Sequence, residues 1–100
     1  MVLQRTYHAL HRQARRNLSD QDVHFVMQHG RWFRSAGVLH IFLGRRDIPN
    51  DRTIHKRFGR LEGTTLVVSE EGDSPVLVTA YRNRRGLKRI RSKDKYDRFE

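Results

Sequence analysis

The sequence predicts an α+β protein: an N-terminal helical hairpin packed on one face of a small antiparallel sheet of three to four strands, followed by a basic C-terminal segment. Apolar residues recur at helical spacing between cap residues in the stretch that ends at Gly30. Beyond it, runs rich in β-branched residues alternate with turn residues, as strands do. One hundred residues suit one compact domain, and we predict a single domain over residues 1–92 with a frayed basic tail over residues 93–100.

The first predicted helix covers roughly residues 3–16 and carries two stripes. Apolar side chains at steps of three and four define the stripe that we expect to face the core: Leu3, Tyr7, Leu10, Ala14 and Leu18. Polar and basic side chains share another side of the same helix: His8, His11, Arg12 and Arg15. The helix is therefore predicted to present imidazoles and guanidiniums to solvent.

The second predicted helix has both of its ends marked in the sequence. Ser19 followed three residues later by Asp22 is typical of a capping box. Val23, Val26 and Met27 form its apolar stripe, and Gly30 suits the left-handed position that follows a helix. A short link to the first helix makes the pair a helical hairpin.

The rest of the chain reads as strands and one long connection. RWFRSAG, residues 31–37, predicts a short strand with Trp32 and Phe33 in the core, and VLHIFLG predicts a second strand from Val38. The charged stretch Arg45–Arg60 is predicted to be a long loop, which in so small a domain is often functional. A hairpin follows, with strands over Thr64–Ser69 and Val76–Arg82 joined by an acidic turn.

The charge of the chain narrows the choice of partner. Lysine and arginine number 21 against 11 acidic residues, a formal net charge of +10, and only four of the bases are lysine. Such a charge attracts polyanions, and arginine grips phosphate through two nitrogens. Nucleic acid is the first candidate partner, a membrane surface the second and an acidic protein the third.

Several classes of function are not indicated by the sequence. The absence of cysteine excludes disulfides and thiolate zinc sites. The charged N-terminal stretch is unlike a signal peptide, and no apolar run reaches the roughly 20 residues of a membrane helix. We therefore predict a cytoplasmic protein without a cofactor, a metal or a membrane partner, and the sequence makes no prediction of its oligomeric state.

The segment HALHRQARRNLSDQDVHFVMQHG resembles the start of the small DUF4258-type domains. Those domains carry a His-Ala pair, two arginines at steps of four, and a second helix that starts with a hydrophobic-Ser pair and ends at glycine. The matching positions here are His8-Ala9, Arg12, Arg16, Leu18-Ser19, Asp22-Val23, Val26 and Gly30. The resemblance covers about residues 6–82, and the insert Arg45–Arg60 departs from the shortest members.

The resemblance implies a function as well as a fold. DUF4258-type domains look related to the RelE/BrnT-like toxins, which place helices before an antiparallel sheet and cut RNA without a metal. By that likeness the chain is a toxin-type endoribonuclease neutralised by an acidic antitoxin, with His8 and Arg12 at the recurrent polar pair. Tyr96 is a candidate for the C-terminal tyrosine of RelE-like toxins.

Metal-independent RNA cleavage needs a base for the 2′-hydroxyl, an acid for the leaving oxygen, and cations for the phosphorane. Histidine titrates near neutral pH and arginine stabilises charge, so four residues are the predicted catalytic set: His8, His11, Arg12 and Arg82. The plainer alternatives are that His8 fixes the helix through a backbone carbonyl and that His11 only faces solvent. Chelation of a metal by the two histidines lacks a nearby carboxylate.

A wider set of residues is predicted to contact nucleic acid: Arg15, Arg16, Arg45, Arg46, Tyr81, Arg84, Arg85, Lys88 and Arg89. Tyr81 alternates with Thr79 and Leu77, so it is either a core residue or a platform for a base. The basic run after Arg82 is either a solvated tail or a docked helix, because Leu87 and Ile90 interrupt it at helical spacing.

Two functions remain open from the sequence. One is a metal-independent ribonuclease that uses the His/Arg side of the first helix. The other is a non-catalytic RNA- or DNA-binding module that uses the same basic face, and a structural domain for an acidic protein partner is a third, weaker reading. Cleavage of RNA in EDTA separates the first from the others.

Overall fold

The computed structural model describes residues 3–35, 37–70 and 74–83. In that part of the chain it is an α+β fold with three α-helices and one mixed sheet of five strands. The strands are β1 (Gln4–Arg5), β2 (Arg31–Ser35), β3 (Val38–Phe42), β4 (Thr64–Ser69) and β5 (Val76–Arg82), and the helices are α1 (Tyr7–Arg15), α2 (Asp20–His29) and α3 (Arg52–Phe58). The predicted tail, residues 93–100, lies outside the described residues.

The sheet has the order β1-β5-β4-β3-β2 and so exceeds the three to four strands that were predicted. The bounds of β4 and β5 agree with the predicted hairpin. The additional strand is β1, in which Gln4 pairs with Val76 and Arg5 with Leu77 in parallel, so the sheet is mixed rather than antiparallel. Two residues are too few for an alternating pattern, which is why the sequence did not reveal this strand.

A β-bulge decides which residues of β5 face the helices. The register of β4 with β5 shifts between Val67 and Val68, and the extra residue on β5 is Val78. Leu77 and Ala80, three positions apart, are therefore both fully buried on the helix-covered face. Tyr81 pairs with Thr65 and lies on the opposite face, so the predicted alternation of Tyr81 with Leu77 is wrong.

The core side of α1 also differs from the prediction. Tyr7 is 89% exposed and Leu10 52% exposed, whereas Ala9 and Gln13 are buried. Small Ala9 lets α1 approach β5 closely. Gln13 tolerates burial because its amide oxygen accepts from Arg5 Nε at 2.9 Å and its amide nitrogen donates to Asp20 at 2.9 Å. Of the predicted stripe, Leu18 is buried and Leu3 packs against the core, whereas Tyr7, Leu10 and Ala14 are exposed.

Thr6 ties α1 to the bulged strand through a single hydroxyl. Its oxygen accepts from the backbone N–H of Ala9 at 3.0 Å, capping α1, and donates to the carbonyl of Val78 at 3.1 Å. Thr6→Ala removes both bonds and is expected to lower the free energy of unfolding by about 1–2 kcal/mol. Urea denaturation measures this change. Thr6→Ser keeps the hydroxyl and is the control, and equal losses in the two variants would contradict the assignment.

The predicted capping box of α2 is confirmed, but the reason for Gly30 is different. Asp22 N–H donates to Ser19 Oγ at 3.1 Å, and Ser19 N–H donates to the Asp22 carboxylate at 2.9 Å. Gly30 is extended, with φ −71° and ψ 164°, and not left-handed. A Cβ at this position would lie 2.5 Å from the carbonyl oxygen of Val26 and 2.8 Å from Ile41, so close packing requires glycine.

The stretch Arg45–Arg60 is not a structureless loop. It holds a 3₁₀ turn at Arg45–Asp47, then α3, and then a second 3₁₀ turn at Gly59–Leu61. Asp51 caps α3 by accepting from the N–H of Ile54 at 3.0 Å. Ile54 and Phe58, four residues apart, pack against the core, and the ring of Phe58 stacks on Phe25 at 4.2 Å between centroids. Because the residues between Ile54 and Phe58 are basic, the sequence did not predict that these two side chains pack against the core.

Trp32 does not join the core as predicted. It is 50% exposed, and its indole N–H donates to the carbonyl of Met27 at 3.1 Å, which links β2 to the last turn of α2. Phe33 is half-buried. No helix in the described part of the chain is long and apolar enough to span a membrane.

Candidate nucleic-acid interface

A pocket of about 370 Å³ opens at the end of the sheet where β4 begins and β5 ends. Its lining comes from the last turn of α1, the second 3₁₀ turn and these two strands: Arg15, Arg16, Asn17, Leu18, Arg60, Leu61, Thr64, Tyr81 and Arg82. Leu61 and Thr64 are almost completely buried and form its floor. The described residues that line it include four arginines and no acidic residue, and we call this site the arginine pocket.

The Schellman motif that ends α1 directs the chain into this pocket. Asn17 adopts a left-handed conformation with φ 54°, and its N–H donates to the carbonyl of Ala14 at 3.1 Å. The N–H of Leu18 donates to the carbonyl of Gln13 at 2.9 Å, which completes the motif. Arg15 and Arg16 therefore stand on the final turn of the helix, and Leu18 is buried beneath them.

Arg60 is held in the pocket wall by a buried acid. One of its terminal nitrogens, Nη2, lies 2.9 Å from both carboxylate oxygens of Asp22, whose side chain is 3% exposed. Burial alone would raise the pKa of Asp22, but the N–H of Ser19 and the guanidinium of Arg60 outweigh it and lower that pKa. Asp22 is thus a charged anchor that fixes Arg60, and Arg60 also lines a second cavity of about 260 Å³ beside Asn17.

The positive charges of the other three arginines are not balanced by a carboxylate of the described residues. Arg82 donates its Nε to the carbonyl of Glu62 at 3.1 Å, which leaves its two terminal nitrogens for a ligand. Of the carboxylates in the described ranges, none forms an ion pair with Arg15, Arg16 or Arg82. The dipole at the C-terminus of α1 amounts to about half a negative charge, so it offsets only a fraction of these three positive charges.

The two ends of the β4–β5 pair differ in the charged residues beside them. Arg82 and the arginine pocket lie at one end, and Ser69, which Glu70 follows, lies at the other. Glu70 forms an ion pair with Arg34 at 2.6 Å, which partly neutralises that far end. Of the described residues, the four arginines of the pocket therefore lie at the end of the β4–β5 pair that is opposite to Glu70.

Two predicted contact residues, Arg45 and Arg46, lie near this end without lining the arginine pocket. Both are exposed on the 3₁₀ turn that follows β3. The chain next to that turn is tied to the start of β4, because Leu43 N–H donates to the Thr64 carbonyl at 2.9 Å. Arg45 and Arg46 can therefore extend a basic surface outward from the pocket.

The remaining predicted contact residues divide in two. Tyr81 lines the pocket, but its strand position directs its side chain to the sheet face opposite the helices, which does not match a base platform inside the pocket. The four predicted bases of the C-terminal run are outside the described residues: Arg84, Arg85, Lys88 and Arg89.

The predicted catalytic set is only partly assembled. Arg12 Nε lies 3.4 Å from His8 Nε2 on the exposed side of α1, and His11 is exposed on the same helix. Arg82 is not beside them. Thr6, at the start of α1, contacts Leu77 and Val78, whereas Arg82 ends β5 and lines the arginine pocket with Arg15 and Arg16. His8 lies about 10 Å from Arg15 along the helix at 1.5 Å per residue. The catalytic roles of these four residues stay a prediction.

Comparison of the chain with protein-family models, with curated proteins and with solved structures finds no match. The resemblance to DUF4258-type domains therefore stays a prediction. Among the described residues, no group of three or more histidines and acids could hold a metal ion.

Sequence reasoning missed Arg60, Asn17 and the second role of Asp22. Arg60 stood in the stretch predicted as a loop, and nothing in the sequence links it to Asp22, which is 38 positions away. Asn17 could have been found, because asparagine before an apolar residue at a helix end is typical of a left-handed cap. The capping box already accounted for Asp22 in the sequence, so its ion pair with Arg60 was not predicted.

Proposed function

We propose that this protein binds single-stranded RNA through the arginine pocket and the basic surface around it. The observation that carries the proposal is that three arginines without a carboxylate partner among the described residues meet in one concave site: Arg15, Arg16 and Arg82. Guanidinium groups donate paired N–H groups in a plane that matches the oxygens of phosphate. Keeping them close together without acids costs electrostatic repulsion, which an anionic ligand removes.

The size of the pocket favours a single strand over a duplex. About 370 Å³ lies at the small end of the range for ligand sites and suits roughly one nucleotide. A duplex presents its phosphates on a convex surface, whereas a single strand can insert one unstacked nucleotide into a pocket of this size. The choice of RNA over DNA rests on the resemblance to DUF4258-type domains. An acidic protein partner, which that resemblance also implies, would compete for the same arginines.

The salt dependence of binding tests this proposal. A labelled single-stranded RNA is titrated with the full chain at several salt concentrations, beside a DNA of the same sequence and an RNA duplex. Each phosphate contact contributes about 0.7 to the slope of log affinity against log salt, so three arginine contacts predict a slope of about −2 or steeper. The single-stranded RNA is expected to bind most tightly. Absence of binding at low salt, or a slope near zero, would contradict the proposal.

A ribonuclease activity is a second candidate, favoured by the contact between His8 and Arg12. Arg12 Nε lies 3.4 Å from His8 Nε2, so an imidazole and a guanidinium meet on the exposed side of α1. A guanidinium beside it is suited to a phosphorane. This pair would supply the base and one cation, and exposed His11 would supply the acid.

Cleavage in EDTA tests the second candidate. If the pair is catalytic, His8→Ala is expected to slow RNA cleavage by about 10²- to 10⁴-fold while RNA affinity changes little. His24→Ala removes an equally exposed histidine from α2 and is the control. RNA that stays intact with the folded, RNA-binding wild-type protein would exclude the ribonuclease and leave the binding function standing.

A further inference from the structure

We infer that the arginine pocket receives a terminal phosphate monoester, the end of a nucleotide or oligonucleotide strand, in preference to a phosphodiester inside the strand. This inference rests on the proposed function and names the part of the RNA that enters the pocket. Three features of the site carry it: the number of uncompensated charges, the anchoring of two guanidiniums, and the buried floor.

The charges exceed what one internal phosphate can neutralise. A phosphodiester carries one negative charge, whereas a terminal phosphate carries about 1.5 to 2 negative charges near pH 7 and offers three acceptor oxygens. The pocket brings together Arg15, Arg16 and Arg82, which have no carboxylate partner in the described part of the chain, and Arg60, whose charge Asp22 balances. An excess of three positive charges is better matched by the monoester dianion than by a single diester.

Two of the guanidiniums are anchored in a way that leaves donors free. Arg82 uses Nε for the carbonyl of Glu62, and Arg60 uses one terminal nitrogen for Asp22. Each therefore keeps at least two nitrogens for a ligand without having to be ordered by it. The side chains of Arg15 and Arg16 form no hydrogen bond or ion pair with another described residue, and both stand at the last turn of α1, where they can close over an anion.

The floor of the pocket favours a chain end. Leu18, Leu61 and Thr64 lie beneath the arginines and are 9%, 1% and 2% exposed. A strand that continued on both sides of a bound phosphate would have to pass the arginines of the pocket wall twice. A terminal phosphate needs only one such passage, so all four guanidiniums can stay in place around it.

The test uses one short single-stranded RNA prepared with a 5′-phosphate, with a 3′-phosphate or with hydroxyl groups at both ends. Binding to the full chain is measured by anisotropy, with the label kept away from the varied end. We expect at least one phosphorylated form to bind about tenfold or more tightly than the hydroxyl form. A nucleoside monophosphate should compete better than the corresponding nucleoside, and inorganic phosphate shows whether the anion alone suffices.

Variants locate the effect in the pocket. Arg82→Ala is expected to remove the advantage of the phosphorylated end, and Arg82→Lys, which keeps the charge but not the planar fork, should restore only part of it. Arg52→Ala removes an exposed arginine of α3 outside the pocket and should keep the advantage in full.

The outcomes separate this inference from the proposed function. Equal affinity for all three RNAs would overturn the inference while RNA binding stood. Competition by nucleoside monophosphate without binding of any RNA would overturn the proposed function and leave the phosphate monoester as the ligand. Neither kind of binding would overturn both.

Discussion

Replacing Arg16 and Arg82 together by alanine is expected to weaken the binding of single-stranded RNA by about 100-fold at low salt. A hydrogen bond between charged groups contributes roughly 1.5 kcal/mol or more, and each arginine supplies at least one such bond to a phosphate. Two lost contacts therefore amount to about 3 kcal/mol, or about two orders of magnitude in the dissociation constant. The slope of log affinity against log salt should fall by about 1.4, since two phosphate contacts disappear.

The matched control separates contact from overall charge. Arg52 and Lys56 are exposed on α3 and lie outside the arginine pocket, so Arg52→Ala with Lys56→Ala removes the same two charges. If only the net charge mattered, both double variants would lose the same affinity. That outcome would show that RNA binding does not depend on the arginine pocket. Thermal denaturation of both variants checks that the fold is unchanged.

Replacing Asp22 by asparagine is expected to lower the free energy of unfolding by about 2–3 kcal/mol at neutral pH. The carboxylate accepts from Ser19 N–H and from Arg60 while its side chain is 3% exposed, and an amide can accept from only one of them well. Arg60 is half-exposed and regains water when released, which keeps the loss below that of a fully buried pair. Urea denaturation gives the difference directly.

The pH dependence of this loss has a definite sign. Because folding lowers the pKa of Asp22, its stabilising effect is complete above the unfolded pKa near 3.8 and disappears as the pH falls through the lower folded value. The two proteins should therefore approach equal stability in strong acid. Asp20→Asn is the control, because Asp20 is 77% exposed in its 3.2 Å pair with Arg5 and should cost less than about 1 kcal/mol. Equal losses in both variants would contradict the anchoring role of Asp22.

The fold class and the β4–β5 hairpin were predictable because their signals are local. Alternation of β-branched residues and the Ser19–Asp22 capping box each span a few residues, and the structure reproduces both. The buried side of α1 was not predictable in the same way. Ala9 is buried on the side of α1 that packs on β5, and Gln13 is buried with a hydrogen bond to Asp20. Tyr7 and Leu10 are exposed. The spacing of apolar residues within α1 does not show these contacts.

Only part of the candidate site could be predicted from the sequence, because the rest depends on contacts between residues that are distant in the chain. Arg15, Arg16 and Arg82 were predicted to bind nucleic acid from residue type and charge, and the structure brings them to one pocket. The prediction could not show that Arg82 lies with Arg15 and Arg16 rather than with His8, because that depends on α1 and β5 running in the same direction. Arg60 needed knowledge of a contact across 38 positions, which no single-sequence pattern contains.

The parallel pairing of β1 with β5 has a consequence for the order in which this protein acquires its function. The hydroxyl of Thr6 reaches the carbonyl of Val78, 72 positions away, and α1 packs on the same late strand. Contacts of such long sequence separation form late, after the entropy of closing a large loop has been overcome. During synthesis, β5, on which α1 packs, is the last of the described strands to emerge. The described lining of the arginine pocket comes from the early, middle and late parts of the chain, so it is incomplete in a nascent chain that has not yet reached Arg82.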